Sequence, residues 1–323
     1  MSERIGIGII SLGVMGQRML ARLAEHPRLQ VLGAYDPNAA VVAQVQMQYP
    51  SLKIAATAEE VIAAKGLRCV YIASPPASHL AYANKGFDAG LALFCEKPLT
   101  VDFAAGRKAI ARIEAERRRA GVNFSLATSP GLAAMQAAAM DGSIGELRRV
   151  HIELAFDRWP RTWQAAAGRW LAERAEGGFS REVLSHFVFV LQRALGKAAV
   201  EEAKPEYPED GVSSERALTA RLTAGGVPVI IEARVGGRLP DFNRMTLSGS
   251  KGAVELQDWF GLRRRREGGD WIADGTPQSN RQSGQSGQLD QLVELIEGRP
   301  HALPGFAEAL AVQETIEAIL KGR

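Results

Sequence analysis

The stretch Ile5-Gly6-Ile7-Gly8-Ile9-Ile10-Ser11-Leu12-Gly13-Val14-Met15-Gly16 decides the fold. An uncharged apolar run ends in a glycine-containing turn, and helical spacing begins at once. Met15, Met19, Leu20 and Leu23 fall on one side of Val14–Glu25. That pattern predicts a buried strand, a tight turn and an amphipathic helix. His26-Pro27 stops the helix. Leu29–Tyr35 is the next strand and Ala39–Gln48 the next helix, ended by Tyr49-Pro50. The alternation then repeats, with strands expected at 53–55, 68–73, 91–95 and 123–128, and helices at 58–64, 78–89 and 101–120. Buried strands separated by helices and short connections predict an α/β domain with a Rossmann-type, doubly wound parallel sheet.

The character changes after Pro130. A helix at 131–140 is followed by longer, more alternating strand candidates at 148–156, 216–223, Val227–Val235, 244–248 and 253–258. Glycine pairs such as Gly225-Gly226 and Gly236-Gly237 mark the turns. This is the pattern of an α+β domain with a large, mostly antiparallel open sheet. The boundary falls near residue 125, which divides the chain into 1–124 and 125–323. The polar stretch 277–288 is expected to be a mobile loop, because it has little apolar surface to bury. Helices at 289–297 and Phe306–Leu320 close the chain.

Composition excludes several classes. Of 323 residues, 46% are hydrophobic and 23% charged, which fits a soluble globular protein with enough apolar side chain for two cores. The net charge of +3, from 39 basic and 36 acidic residues, gives no case for nucleic acid or an anionic membrane. The runs Arg117-Arg118-Arg119 and 263–266 are flanked by acids and read as solvated faces. No apolar run has the ~18 residues of a membrane span, and the first apolar stretch reads as a strand rather than a leader. The expectation is a cytoplasmic protein. Cys69 and Cys95 fall within strands and read as free thiols, and no Cys/His cluster at metal spacing is present.

The first turn carries chemistry. Ser11, Leu12, Gly13, Val14, Met15 and Gly16 lie between strand and helix, where a pyrophosphate-binding loop belongs. Gly13 lets the backbone approach phosphates, Gly16 allows close strand–helix packing, and the helix start offers N–H groups to an anion. Ser11 stands where the first glycine of G-x-G-x-x-G is expected, so the motif is incomplete. Asp36 ends the second strand, about 20 residues on, where a carboxylate accepts from the ribose hydroxyl of NAD and repels the 2′-phosphate of NADP. NAD is therefore the expected cofactor. A tight turn with a helix-capping Asp36 is the other reading of the same residues.

The stretch 70–101 reads Val-Tyr-Ile-Ala-Ser-Pro-Pro-Ala-Ser-His, then a helix, then Ala-Leu-Phe-Cys-Glu-Lys-Pro-Leu-Thr-Val. It resembles the Gfo/Idh/MocA (glucose-fructose oxidoreductase / inositol dehydrogenase) family. Ser74, Pro75 and His79 are similar to that family's loop after the fourth strand, and Glu96-Lys97-Pro98 to its catalytic tripeptide. Asp141-Gly142-Ser143-Ile144-Gly145-Glu146 and Gly177-Gly178 followed by Glu182 and His186 extend the likeness into the second domain. The resemblance implies hydride transfer between a nicotinamide and an oxygen-bearing carbon of a sugar, cyclic polyol or related hydroxy/keto compound. It implies Lys97 as general acid/base, with a lowered proton affinity beside an oxidised nicotinamide. It also implies cofactor contacts from Ser74, Pro75, His79, Glu96 and Lys97.

His186 is implied to touch the substrate hydroxyl. Glu182 stands where the family has Asp, and the extra methylene moves its carboxylate by about an ångström. A solvated helix face with a semi-buried His186 is the alternative. Arg158, Trp163, Arg169 and Trp170 are candidate substrate residues, since Trp faces pack on sugar C–H surfaces and Arg binds carboxylate or phosphate. Core tryptophans with surface arginines account for them equally. His26, His151, His301, Tyr71 and Tyr82 carry no motif and read as structural. Relatives cover the open sheet with a second subunit, so a homodimer or homotetramer is expected. Three other functions share the fold: NAD-assisted glycoside hydrolysis, imine or enone reduction, and a non-catalytic cofactor-binding regulator.

Overall fold

The computed structural model describes residues 4–236 and 241–322, with the side chains of 165–167 excepted. Gly237, one of the expected turn glycines, lies outside the described residues. The chain forms two compact units. The first comprises the described residues of Met1–Phe124 together with Gln288–Leu310, and the second those of Ser125–Gly287 and Ala311–Arg323. The chain thus leaves the first unit at Phe124 and later returns to it. The expectation put all of 125–323 in one domain, whereas Gln288–Leu310 group here with the first unit.

In the first unit the order is β1 (Ile5–Ile10), α1 (Val14–Glu25), β2 (Leu29–Tyr35), α2 (Ala39–Gln48), α3 (Ala58–Ile62), β3 (Leu67–Ile72), α4 (Pro76–Asp88), β4 (Ala92–Glu96), α5 (Phe103–Glu116) and β5 (Ala120–Asn123). The strand at 53–55 reduces to a single bridge between Ala34 and Ile54. α5 ends before the expected residue 120, because Arg117 turns left-handed at φ 50° and Arg118 N–H donates back to the Ile113 carbonyl. The five strands are all parallel, in the order β2-β1-β3-β4-β5. β1 is buried at every residue, as a strand covered on both faces must be. The connections leave β1 in opposite directions, toward β2 and toward β3. That reversal opens a crevice at the carboxyl ends of β1 and β3, the place where ligands bind in such sheets.

The second unit begins with α6 (Pro130–Met140) and β6 (Leu147–Phe156). After irregular and 3₁₀ segments come α7 (Ser185–Leu195), β7 (Ala198–Glu206), β8 (Ala217–Ala224), β9 (Val227–Val235), β10 (Phe242–Gly249), β11 (Gly252–Gln257), β12 (Gly261–Arg266) and β13 (Ile272–Ala273). These eight strands form one sheet in the order β13-β12-β11-β10-β6-β9-β8-β7. Every pairing is antiparallel except β6 with β9. The inward residues of β8, Leu218, Ala220, Leu222 and Ala224, are buried, and α6 and α7 cover that face. The other face carries a polar ladder. Arg263 donates to Glu255, Thr246 to Glu255, and Arg244 to Glu153, while His151 pairs with Glu232.

Two helices close the chain, α8 (Pro277–Glu297) and α9 (Phe306–Leu320). α8 overturns the expected mobile loop at 277–288. Its start is capped by the exchange between Thr276 and Ser279, with Pro277 in the first turn. Its inner stripe is polar or small rather than apolar. The Asn280 amide donates to the Phe260 and Asp274 carbonyls, and Gly284 lies against Ser129 and accepts from the Thr128 hydroxyl. Hydrogen bonds replace the apolar burial that periodicity looks for. No helix among the described residues is long and apolar enough to cross a membrane.

Candidate functional site

The first unit assembles its candidate residues at the carboxyl ends of β1, β3 and β4. Ser11 follows β1 with φ 76°, a left-handed conformation that favours glycine, which explains why the motif usually has glycine there. Here the hydroxyl offsets part of that strain by donating to Asp36 Oδ2 at 3.1 Å. Leu12 N–H donates to the same oxygen at 2.7 Å, and Asn38 N–H donates to Oδ1 at 2.8 Å. Asp36 therefore anchors the loop from the end of β2. A Cβ on Gly16 would collide with the Ser11 carbonyl, so only glycine lets α1 start this close to the strand. α1 begins after Gly13 with no side-chain cap, which leaves its first N–H groups facing outward from the turn. An uncapped helix start on a glycine cradle, with a carboxylate at the next strand end, fits a dinucleotide.

Ser74 and Pro75 follow β3, and Ala73 N–H closes onto the Ile10 carbonyl at 2.9 Å. His79 is 1% exposed. Its Nε2 lies 2.6 Å from the Ser74 carbonyl and its Nδ1 2.9 Å from the Pro98 carbonyl. The ring lies between the loop after β3 and the loop after β4, and in its neutral form it donates to one of the two carbonyls. Burial pushes the His79 pKa down, against the pull of the carbonyls. A group whose folded pKa is lowered stabilises the fold above its unfolded pKa of about 6.5, and that contribution is lost as pH falls through the folded value. Stability is expected to drop on acidification below about pH 6.5, and His79→Gln to flatten that slope in a series of Tm measurements against pH. An unchanged slope would contradict this role.

Lys97 is the first residue beyond β4 and is half-buried. Pro98, Leu99 and Thr100 behind it are buried, and the Asp102 side chain caps α5 by accepting from the Ala104 and Ala105 N–H groups. The loop is thus fixed on both sides of the lysine. Glu96, expected among the cofactor residues, points instead into the core at 5% exposure. The Tyr71 hydroxyl and the Asn123 amide, the latter at 2.5 Å, both donate to its Oε1. Burial, followed by the neighbouring Glu96 charge, holds the Tyr71 phenol well above its usual pKa. Burial likewise raises the thiols of Cys69 and Cys95, which keeps them protonated and unreactive.

In the second unit, Glu182 lies in a π-helical turn, Ser180–Leu184, that runs directly into α7. His186 lies one turn further on, 5% exposed. Its ring meets Trp259 edge-on at 5.1 Å, and Ser125 Oγ lies 3.5 Å from Nδ1. Three anchors hold this turn. Ser180 N–H donates to the buried Glu215 at 2.7 Å, Arg181 forms two hydrogen bonds with Glu317, and Ser185 donates to the Arg181 carbonyl. Gly178, at φ 102°, leaves room for the Glu215 carboxylate, which any Cβ there would strike. Burial raises the Glu215 pKa, and the Ser180 N–H opposes the shift. Ser125, Trp259 and Glu215 carry no motif. Their placement depends on sheet register and on the turn after β11, which spacing does not reveal.

The segment 158–170 divides. Trp159 belongs to the core: it packs on Phe156 and Phe179 and donates to the Leu171 carbonyl at 2.9 Å. Trp163 is 45% exposed, and the Arg161 guanidinium lies 4.8 Å from its ring centre. Arg158 is exposed and paired with Asp157, Arg169 is exposed, and Trp170 is half-buried. Arg161, not singled out in the sequence, sits closest to the exposed indole and also faces Phe156 and Trp159.

Comparison with known proteins bears on these residues. Inositol 2-dehydrogenase of Gluconacetobacter diazotrophicus is 29% identical over 152 residues, covering 46% of this chain and 44% of that protein. Trans-1,2-dihydrobenzene-1,2-diol dehydrogenase of Mus musculus is 26% identical over 262 residues, covering 77% and 74%. The chain spans about half the length of the inositol dehydrogenase and of others of the curated relatives it matches. The crystal structure of an oxidoreductase from Agrobacterium radiobacter, in complex with NAD+, L-tartaric acid and magnesium, superposes with a TM-score of 0.84 at 16% identity. It covers 98% of this chain and 96% of that one, a likeness of fold. The model of an oxidoreductase family with an NAD-binding Rossmann fold matches residues 5–124, which hold the Ser11–Gly16 loop, Asp36 and Glu96-Lys97-Pro98. Residues 5–124 of this chain therefore match the NAD-binding Rossmann-fold part of the Gfo/Idh/MocA oxidoreductase family.

Proposed function

We propose that the chain is an NAD-dependent dehydrogenase that oxidises a CH–OH group of a sugar, cyclic polyol or related hydroxy/keto compound, or reduces the corresponding ketone. The observation that supports it most is Lys97. It sits at the carboxyl end of a parallel strand, half-buried, in a loop stapled by His79 to the neighbouring loop of an NAD-binding domain. NAD, when bound, supplies the hydride acceptor. Lys97 Nζ takes the hydroxyl proton in oxidation and returns it in reduction. Asp36 accepts from the ribose and disfavours a 2′-phosphate, which selects NAD over NADP. Relatives named for inositol and for a cyclic diol favour a ring bearing neighbouring hydroxyls. By the resemblance, His186 contacts the reacting hydroxyl and Glu182 a second polar group. Trp163 and Arg161 are the candidates for reading a sugar face or an acidic group.

The test is a cofactor-reduction screen of the purified protein with NAD+ and cyclic polyols, aldoses, uronic acids and sugar phosphates. NADH formation on at least one class is expected. Silence across the panel, from protein shown to bind NADH, overturns the dehydrogenase reading in favour of a glycosidase, an imine or enone reductase or a regulator. The polar face of the eight-stranded sheet, which runs from half-buried His151 and Arg244 to exposed Glu232, is the face that a homodimer or homotetramer would cover. Sedimentation as a monomer at micromolar concentration would contradict it.

A further inference from the structure

A polar cluster lies inside the hydrophobic core of the first unit. Around it the core is apolar: Cys69, Phe94, Leu289 and Leu292 are at most 3% exposed. In its midst the Glu96 carboxylate accepts from Tyr71 and Asn123. The Gln288 amide at the inner face of α8 donates to Asn123 Oδ1 at 2.7 Å and to the Phe124 carbonyl at 3.2 Å. Arg22 of α1 brings a positive charge within electrostatic range of both Glu96 and Tyr71. Taking such groups from water is costly, and apolar residues of similar shape would stabilise the core at least as well. Stability is therefore a poor reason for this arrangement. Its position suggests a better one: Glu96 is the last residue of β4, and Lys97 is the next residue in the chain.

We propose that Tyr71, Asn123 and Gln288 are positioning residues for Lys97 that act through Glu96. The inference rests on the reading of Lys97 as the acid/base group. The three side chains come from β3, β5 and α8, so they fix the Glu96 side chain from three elements. A carboxylate held in one rotamer fixes the peptide that follows it, and hence the direction in which the lysine leaves the strand. The groups facing Glu96 are Tyr71, Asn123 and Arg22, with Gln288 behind Asn123 and the protonated Cys95 thiol beside it in sequence.

The experiment is a double-mutant cycle on the full chain. Tyr71→Phe keeps the ring that packs on Phe94 and removes only the hydroxyl. Its expected effect is a kcat roughly tenfold lower with the KM for NAD+ within about twofold. If the hydroxyl acts through Glu96, Tyr71→Phe combined with Glu96→Gln is no slower than Glu96→Gln alone. Losses that multiply, or an unchanged kcat in Tyr71→Phe, would overturn the proposal. A second readout needs no turnover. NMR of the isotopically methylated lysines, without cofactor, should show the Lys97 resonance displaced in both Glu96→Gln and Tyr71→Phe while the other lysine resonances stay in place, because the side chain leaves the strand in a new direction. A Lys97 resonance unmoved in both variants overturns the proposal even if the protein proves to have no dehydrogenase activity. If Glu96→Gln fails to fold, the kcat-against-KM split in Tyr71→Phe and Gln288→Leu decides. A wild-type chain that reduces no NAD+ refutes the reading of Lys97 instead, and the Lys97 resonance then judges the coupling by itself.

Discussion

Lys97→Ala is expected to lower kcat by about 10²- to 10⁴-fold while the affinity for NADH stays within a few-fold, as for removal of a positioned general acid/base. The expectation follows from where the side chain stands. Its loop is already fixed by Glu96 below, by buried Pro98 to Thr100 behind and by the His79 staple to Ser74, so truncation at Cβ leaves the backbone in place. The protein should fold and bind cofactor normally and fail at proton transfer. Small amines added to the Ala variant should restore part of the rate. Stopped-flow NADH formation gives kcat, and fluorescence titration gives the NADH affinity. A variant that keeps near-full turnover would remove Lys97 from the mechanism.

Asp36→Asn is the second large effect. The carboxylate spends one oxygen on Leu12 N–H and Ser11 Oγ, and the other on Asn38 N–H. An amide keeps one acceptor for the loop but loses the charge. Hydrogen bonds to a charged group contribute about 1.5–3 kcal/mol, so the KM for NAD+ should rise roughly 10- to 100-fold. Loss of the repulsion should lower the KM for NADP+ at the same time. The ratio of kcat/KM for the two cofactors therefore moves by more than about tenfold, a shift that loosening of the loop alone would not produce. An unchanged ratio, or a wild-type preference for NADP+, would contradict the assignment of Asp36.

Much of this was legible in the sequence, and the parts that were not share a cause. Ile5–Ile10, Val14–Glu25, Leu29–Tyr35 and Ala39–Gln48 appear at their expected bounds because apolar periodicity and Pro or Gly stops coincide there. The strands Ala198–Glu206 and Gly261–Arg266 were not legible. The first is an edge strand with a proline and four charged residues among its nine. The second is a four-arginine run whose Arg263 pairs with Glu255, a partner fixed only by register. α8 hid for a similar reason, since its inner stripe of Asn280 and Gly284 is held by hydrogen bonds. Among the candidate site residues, the loop 11–16 and Asp36 are legible from motif and spacing, and Lys97 only from the family resemblance. The burial of Glu96 and His79 could not, because a motif records which residue is present and not which way it faces. Tyr71, Ser125, Glu215 and Trp259 contribute through contacts made across distant parts of the chain.

The central claim is net hydride transfer between a nicotinamide and a substrate carbon. NADH carrying deuterium at the nicotinamide C4 position, incubated with the protein and keto derivatives of sugars and cyclic polyols, tests it most directly. The account predicts that deuterium leaves the cofactor and appears on one carbon of the alcohol product, detected by mass spectrometry, and that Lys97→Ala nearly abolishes the transfer. Deuterium retained by the bound cofactor with every ketone, from a protein that demonstrably binds NADH, would contradict it.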